Sequence, residues 1–152
     1  MSVLARLEEQ ALEPERELAA LLERARGDGA TVSFTGVARP GSKGGEAVHR
    51  LMLEHHPALT LQSLEEIAAD AAARFEISHV RVVHRCGEIL AGEPIVFAGA
   101  AAPHRRAAFE AADYLMDRLK TEAVFWKREI GERGSEWIEP TDADYAARER
   151  WG

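Results

Sequence analysis

A chain of 152 residues, 46% hydrophobic and 30% charged, has the size and composition of one ordinary domain with a buried core. A formal net charge of −7, from 19 Lys and Arg against 26 Asp and Glu, argues against non-specific nucleic-acid binding, which works by neutralising phosphate. No apolar stretch approaches the ~18 residues of a membrane span, no basic-then-apolar leader opens the sequence, and the single cysteine, Cys86, has no internal disulfide partner. These features predict a reducing, cytoplasmic setting.

Val3, Ala5 and Leu7 alternate with polar residues and suggest a first strand. Pro14 then stands where a helix starts; Leu18, Leu21, Leu22 and Ala25 follow at helical spacing, and Gly27-Asp28-Gly29 ends the run. The alternation over 30–38 predicts a strand, residues 40–45 (PGSKGG) a flexible loop, and 48–55 a second strand, so the two strands are expected to pair as a long hairpin. Pro57 opens a second helix with an apolar stripe of Leu61, Leu64, Ile67, Ala68, Ala71 and Ala72. Val80, Val82 and Val83 mark a strand ending near Cys86-Gly87, and the small-apolar run 95–102 reads as a central strand. A third helix spans 104–120, and a last strand covers 124–130, turned by Glu132-Arg133-Gly134 towards Trp137. The charged tail over 140–152 is expected to fray. No linker, low-complexity tract or repeat interrupts residues 1–152, so one domain is expected. The order, roughly βαββαββαβ, predicts an α+β fold with a mostly antiparallel sheet and about three helices.

Several chemistries find no support. There is no phosphate-loop signature, and the glycines at 41–45 precede a strand instead of a helix. The six histidines lack HExxH spacing and no CxxC is present, so neither a metal site nor a cofactor is expected. His55 and His56 read as a solvated strand end, and Cys86 as a small buried residue.

The basic residues are more informative. Arg39 falls where a strand gives way to the loop, and His104-Arg105-Arg106 opens the third helix. Arginines there oppose the positive end of the helix dipole, a cost that an anionic ligand removes. Solvation, or pairing with Glu110 and Asp113, explains them equally well. Lys120 ends the same helix, where a cation is favourable by dipole alone. Lys127 sits among bulky residues in VFWKRE (124–129), a setting for a lysine of tuned pKa but equally for one that snorkels to water or pairs with Glu129. His104 and Lys120 are 16 positions apart on one helix, about 24 Å at ~1.5 Å per residue. If both serve one small substrate, a second copy of the chain must contribute one of them.

Taken in order, these segments resemble the large, catalytic subunit family of molybdopterin synthase. The resemblance rests on Gly29-Ala30 leading to Phe34-Thr35-Gly36-Val37-Ala38-Arg39, on Leu53-Glu54-His55, and on His84-Arg85-Cys86-Gly87 with Gly92-Glu93. His104-Arg105 with Ala108-Phe109, Leu119-Lys120, FWKRE at 125–129 and Trp137 complete it. It implies an α/β-hammerhead type of α+β fold and a homodimer at the centre of a heterotetramer. It further implies a small ubiquitin-like sulfur-carrier subunit whose C-terminal thiocarboxylate delivers sulfur to cyclic pyranopterin monophosphate, building the dithiolene of molybdopterin. By that pattern Lys120 and Lys127 carry the catalysis, and Arg39, His104 and Arg105 bind substrate, the last two across the dimer. The chain departs from the pattern at Val124 (usually proline), Ala38 (usually valine) and near His56 (usually tyrosine). A non-catalytic module that grips an anion or a ubiquitin-like tail is the competing class, and it leaves Lys127 without a role.

Overall fold

The computed structural model describes residues 2–41, 48–132 and 134–152. In chain order the elements are β1 (Ser2–Glu8), α1 (Pro14–Arg24), β2 (Ala30–Val37), β3 (Val48–His55), α2 (Leu59–Arg74), β4 (His79–Arg85), β5 (Gly87–Leu90), β6 (Pro94–Ala102), α3 (Arg105–Glu122), β7 (Phe125–Gly131), β8 (Gly134–Ile138) and α4 (Asp142–Glu149). They form two four-stranded sheets, ordered β1-β4-β6-β2 and β5-β3-β7-β8. β1 and β4 run parallel, and the other strand pairs are antiparallel. The α+β expectation is met, with four helices among the described residues instead of three.

The first sheet is covered on both faces, which explains the unbroken apolar run of β6. On one face Val80, Val82, Val96, Ala98, Ala100 and Ala102 pack with Leu64, Ile67 and Ala71 of α2 and Ala108, Ala111 and Leu115 of α3. On the other, Val83, Phe97 and Ala101 meet Leu12 and Leu21 beneath α1. Each β6 side chain therefore faces a core on one side or the other. The α1 stripe is narrower than its spacing suggests: Leu21 is buried, whereas Leu18 and Leu22 are exposed. Glu17 takes a buried place and accepts from Arg6 Nη2 at 2.6 Å and Arg81 Nε at 2.8 Å.

The expected β2–β3 hairpin does not form. β2 pairs with β6, Ala30 opposite Ala102 and Phe34 opposite Ala98, while β3 enters the second sheet between β5 and β7. Adjacent alternating segments favour a hairpin by default. Here the small residues of β6 give β2 a flush neighbour, and Leu53 of β3 is needed with Ile89 and Ala38 in a third apolar cluster between the sheets. Of the predicted loop over 40–45, residues 42–45 lie outside the described residues, as does Arg133 in the predicted turn.

Three further elements were not expected: β5, α4, and β8, which follows the predicted turn after the expected last strand. β5 begins at Gly87, whose φ of +85° lets the chain leave β4 in one sheet and enter the other directly. The tail expected to fray over 140–152 instead forms α4, capped by a reciprocal box between Thr141 and Asp144. Arg150 then reaches Asp113 at 2.5 Å and Asp117 at 2.8 Å, and Trp151 donates to Asp117 at 2.7 Å, fastening the terminus to α3.

Candidate active site

The link between α3 and β7 is two residues long, Ala123 and Val124, and it sets the relation between the two candidate lysines. Lys120 stands exposed in the last turn of α3, and Lys127 half-buried as the third residue of β7. The start of α2 holds this link by both backbone groups of Val124. Its carbonyl accepts from Thr60 Oγ1 at 2.6 Å, and its N–H donates to Ser63 Oγ at 3.1 Å. A proline has no N–H to give, so the departure from the family pattern at Val124 comes with a bond of its own. His56, the other departure, accepts at Nδ1 from the N–H groups of Ala58 and Leu59 and so satisfies donors at the start of α2.

Within β7, Lys127 is opposite Leu53 of β3 on one side and Ile138 of β8 on the other. Its chain neighbours make ring contacts. Phe125 stacks on the His84 ring at 4.3 Å between centroids, and Arg128 lies 5.4 Å over Trp137. His84 is buried, with Nδ1–H donating to the Arg85 carbonyl at 2.8 Å. Burial, together with the nearby Lys127 charge, lowers its imidazole pKa to about 3 against the pull of that hydrogen bond. Beside the lysine, then, is a histidine that stays neutral at working pH. His84 was not among the predicted site residues; continuing the Val80, Val82 alternation to residue 84 is a signal for an inward-facing position, but its proximity to Lys127 needs the second sheet.

Topology decides which predicted residues share an end of the molecule. β2 runs antiparallel to β6, with Gly36 opposite Val96 and Val37 opposite Pro94, so the exposed Arg39 follows at the Pro94 end. His84 is also opposite Val96, which brings Phe125 and the start of β7 to this same end. α3 leaves β6 through Pro103 and packs back across β6 and β2, so its C-terminal turn with Lys120 returns there too. Arg39, Lys120 and Lys127 thus gather at one end. His104 and Arg105 do not: they open α3 at the far end, both exposed. Gly29 packs directly on the Pro103 carbonyl, leaving no room for a side chain where the backbone turns into α3.

Around that far end two open clefts are lined by Arg74, Phe75, His104 and Arg106, and by Arg105, Phe109, Glu110 and Asp113. Arg105 and Arg106 form no ion pair among the described residues, and Asp113, one of the acids expected to pair with them, is taken by Arg150. The helix N-terminus therefore keeps its positive potential for an outside anion.

A family model described as MoaE protein matches residues 7–122. This chain belongs to the MoaE family. A molybdopterin synthase catalytic subunit of Yersinia pestis is 48% identical over 124 residues, 82% of each chain. One of Pseudomonas aeruginosa is 43% identical over 146 residues, covering 96% of this chain and 97% of its own. The solved MoaE structure from Burkholderia ambifaria superposes with a TM-score of 0.81 at 37% identity, covering 99% of this chain and 97% of that one. The MoaE likeness extends through α4, the segment expected to be a loose tail.

Proposed function

We propose that this chain is the catalytic subunit of a molybdopterin synthase, acting in the cytoplasm as a single-domain protomer. It transfers sulfur from the C-terminal thiocarboxylate of a small ubiquitin-like carrier to cyclic pyranopterin monophosphate. The observation that carries the reading is the gathering of Arg39, Lys120 and Lys127 at one end of the fold, with His104 and Arg105 at the other. Chain separation along α3 is about 24 Å at ~1.5 Å per residue, too far for one small substrate to span. In a homodimer, the α3 N-terminus of one copy supplies the anion-binding half of the other copy's site.

In that arrangement each part has a distinct task. Arg39, with the partner's His104 and Arg105, holds the substrate phosphate, the two arginines as charge-assisted donors and the helix N-terminus by its dipole. Sulfur attack by the thiocarboxylate and opening of the cyclic phosphate both need protons moved and negative charge stabilised. Lys120 and Lys127 perform that work, Lys127 from a rigid strand and beside a neutral imidazole that adds no competing charge.

The test is reconstitution from purified chain, a thiocarboxylated carrier and cyclic pyranopterin monophosphate, with dithiolene pterin as readout. Lys120→Ala and Lys127→Ala proteins that fold and bind carrier are expected to lose turnover by at least about 10²-fold, the scale of general acid–base catalysis. Turnover unchanged in either variant would refute its assignment.

A further inference from the structure

Where β1, β3 and β4 end, three side chains of different chemistry meet. Glu9 follows β1, His55 closes β3, and Cys86 joins β4 to β5. Their ligand atoms, a carboxylate oxygen, an imidazole nitrogen and the thiol sulfur, all lie within 4.8 Å of one another. From this geometry we propose a binding site for a borderline-soft divalent cation, Zn2+ first, held by Glu9, His55 and Cys86 and completed by water.

The ligand set fits that ion. Zn2+ takes sulfur at ~2.3 Å and nitrogen or oxygen at ~2.0–2.2 Å, so tetrahedral ligand atoms stand roughly 3.3–3.8 Å apart. The present spacing needs about an ångström of closure. Glu9 is exposed and free to swing, whereas Cys86 is buried and its N–H is anchored to the Glu8 carbonyl at 2.9 Å. The thiolate and the Glu9 carboxylate bring two negative charges for a dication. The neighbouring Arg85 guanidinium has its own partners, Nη2 donating to the Glu88 carbonyl at 2.9 Å and Nη1 lying 3.9 Å from Glu93. Sequence spacing is blind to this cluster, because Glu9, His55 and Cys86 come from three separate strand ends. Its consequence is mechanical: Glu9 directly follows a strand of the first sheet, His55 closes a strand of the second, and a bound ion ties them together beside Phe125.

The full-length chain, free of any affinity tag and stripped with chelator, is titrated with Co2+ and then Zn2+. One equivalent of Co2+ is expected to give a near-ultraviolet thiolate-to-cobalt charge-transfer band, bleached by one equivalent of Zn2+. Cys86→Ser should abolish the band, and His55→Gln and Glu9→Gln should each weaken Zn2+ by at least about tenfold in competition with a chromogenic chelator. Because Glu9 is exposed, Glu9→Gln keeps the readout open if Cys86→Ser folds poorly. No thiolate band, or an affinity unchanged in Glu9→Gln, would overturn the site. Neither result depends on sulfur transfer, so this proposal fails or stands apart from the enzymatic one.

Discussion

Replacing Gly29 by alanine tests how the fold places the N-terminus of α3, the anion-binding end in the proposed function. A Cβ at this position falls far inside van der Waals contact with the Pro103 carbonyl oxygen, a backbone atom that no rotamer change can move. Ala30 is in register with Ala102, so the strain enters where β6 hands over to α3. Overpacking of this kind costs about 1–3 kcal/mol. At this chain length that corresponds to a fall of roughly 2–12 °C in melting temperature. The shift also moves His104 and Arg105, and a misplacement of ~1 Å costs up to ~10²-fold in rate. Thermal melting and dithiolene turnover are read on the same preparations. Gly27→Ala is the control: its φ of +94° makes alanine cost about 1–2 kcal/mol, but its surroundings are open. Both variants should melt lower, and Gly29→Ala alone should lose turnover in the folded protein. A Gly29→Ala protein with wild-type melting and rate would refute the reasoning.

Glu17→Ala should destabilise by roughly 3–5 kcal/mol in chemical denaturation, because it leaves Arg81, largely buried, without its carboxylate. Turnover of the folded fraction should hold, since α1 covers the sheet face opposite α3. Acid stability should follow His84. Its folded pKa, about 3, is below the ordinary 6.5, so the unfolded chain takes up the proton first. Stability is then full above 6.5 and declines towards 3 as pH falls, by up to about 1.4 kcal/mol per unit. Denaturation midpoints against pH should flatten over that window in His84→Gln; an unchanged acid limb would show that another group governs it.

Much of the fold could be read from periodicity, because the first sheet is a conventional two-faced core. The run over 95–102 announced a central strand and became β6, and the stripe through Leu64, Ile67 and Ala71 became the buried face of α2. Pairing was less legible. The partner of β2 depended on the small residues of β6, 64–72 positions away (Phe34 to Ala98, Ala30 to Ala102), which local alternation does not register. The tail misled for a similar reason: Arg150 and Trp151 look like a charged end until Asp113 and Asp117 of α3 are placed beside them. Of the site, the separation of His104 from Lys120 followed from helix rise alone. The approach of His84 to Lys127, and the meeting of Glu9, His55 and Cys86, needed two sheets in register.

In the proposed assembly, one site is built from two copies of the chain. Its most direct test mixes a Lys120→Ala/Lys127→Ala chain with a His104→Ala/Arg105→Ala chain by co-refolding, each inactive alone, and measures dithiolene formation. With random pairing, half the dimers are mixed and each carries one intact site, so about a quarter of wild-type turnover is predicted. A mixture that forms dimers and remains as inactive as its components would refute the shared site, and would place the whole site within a single chain.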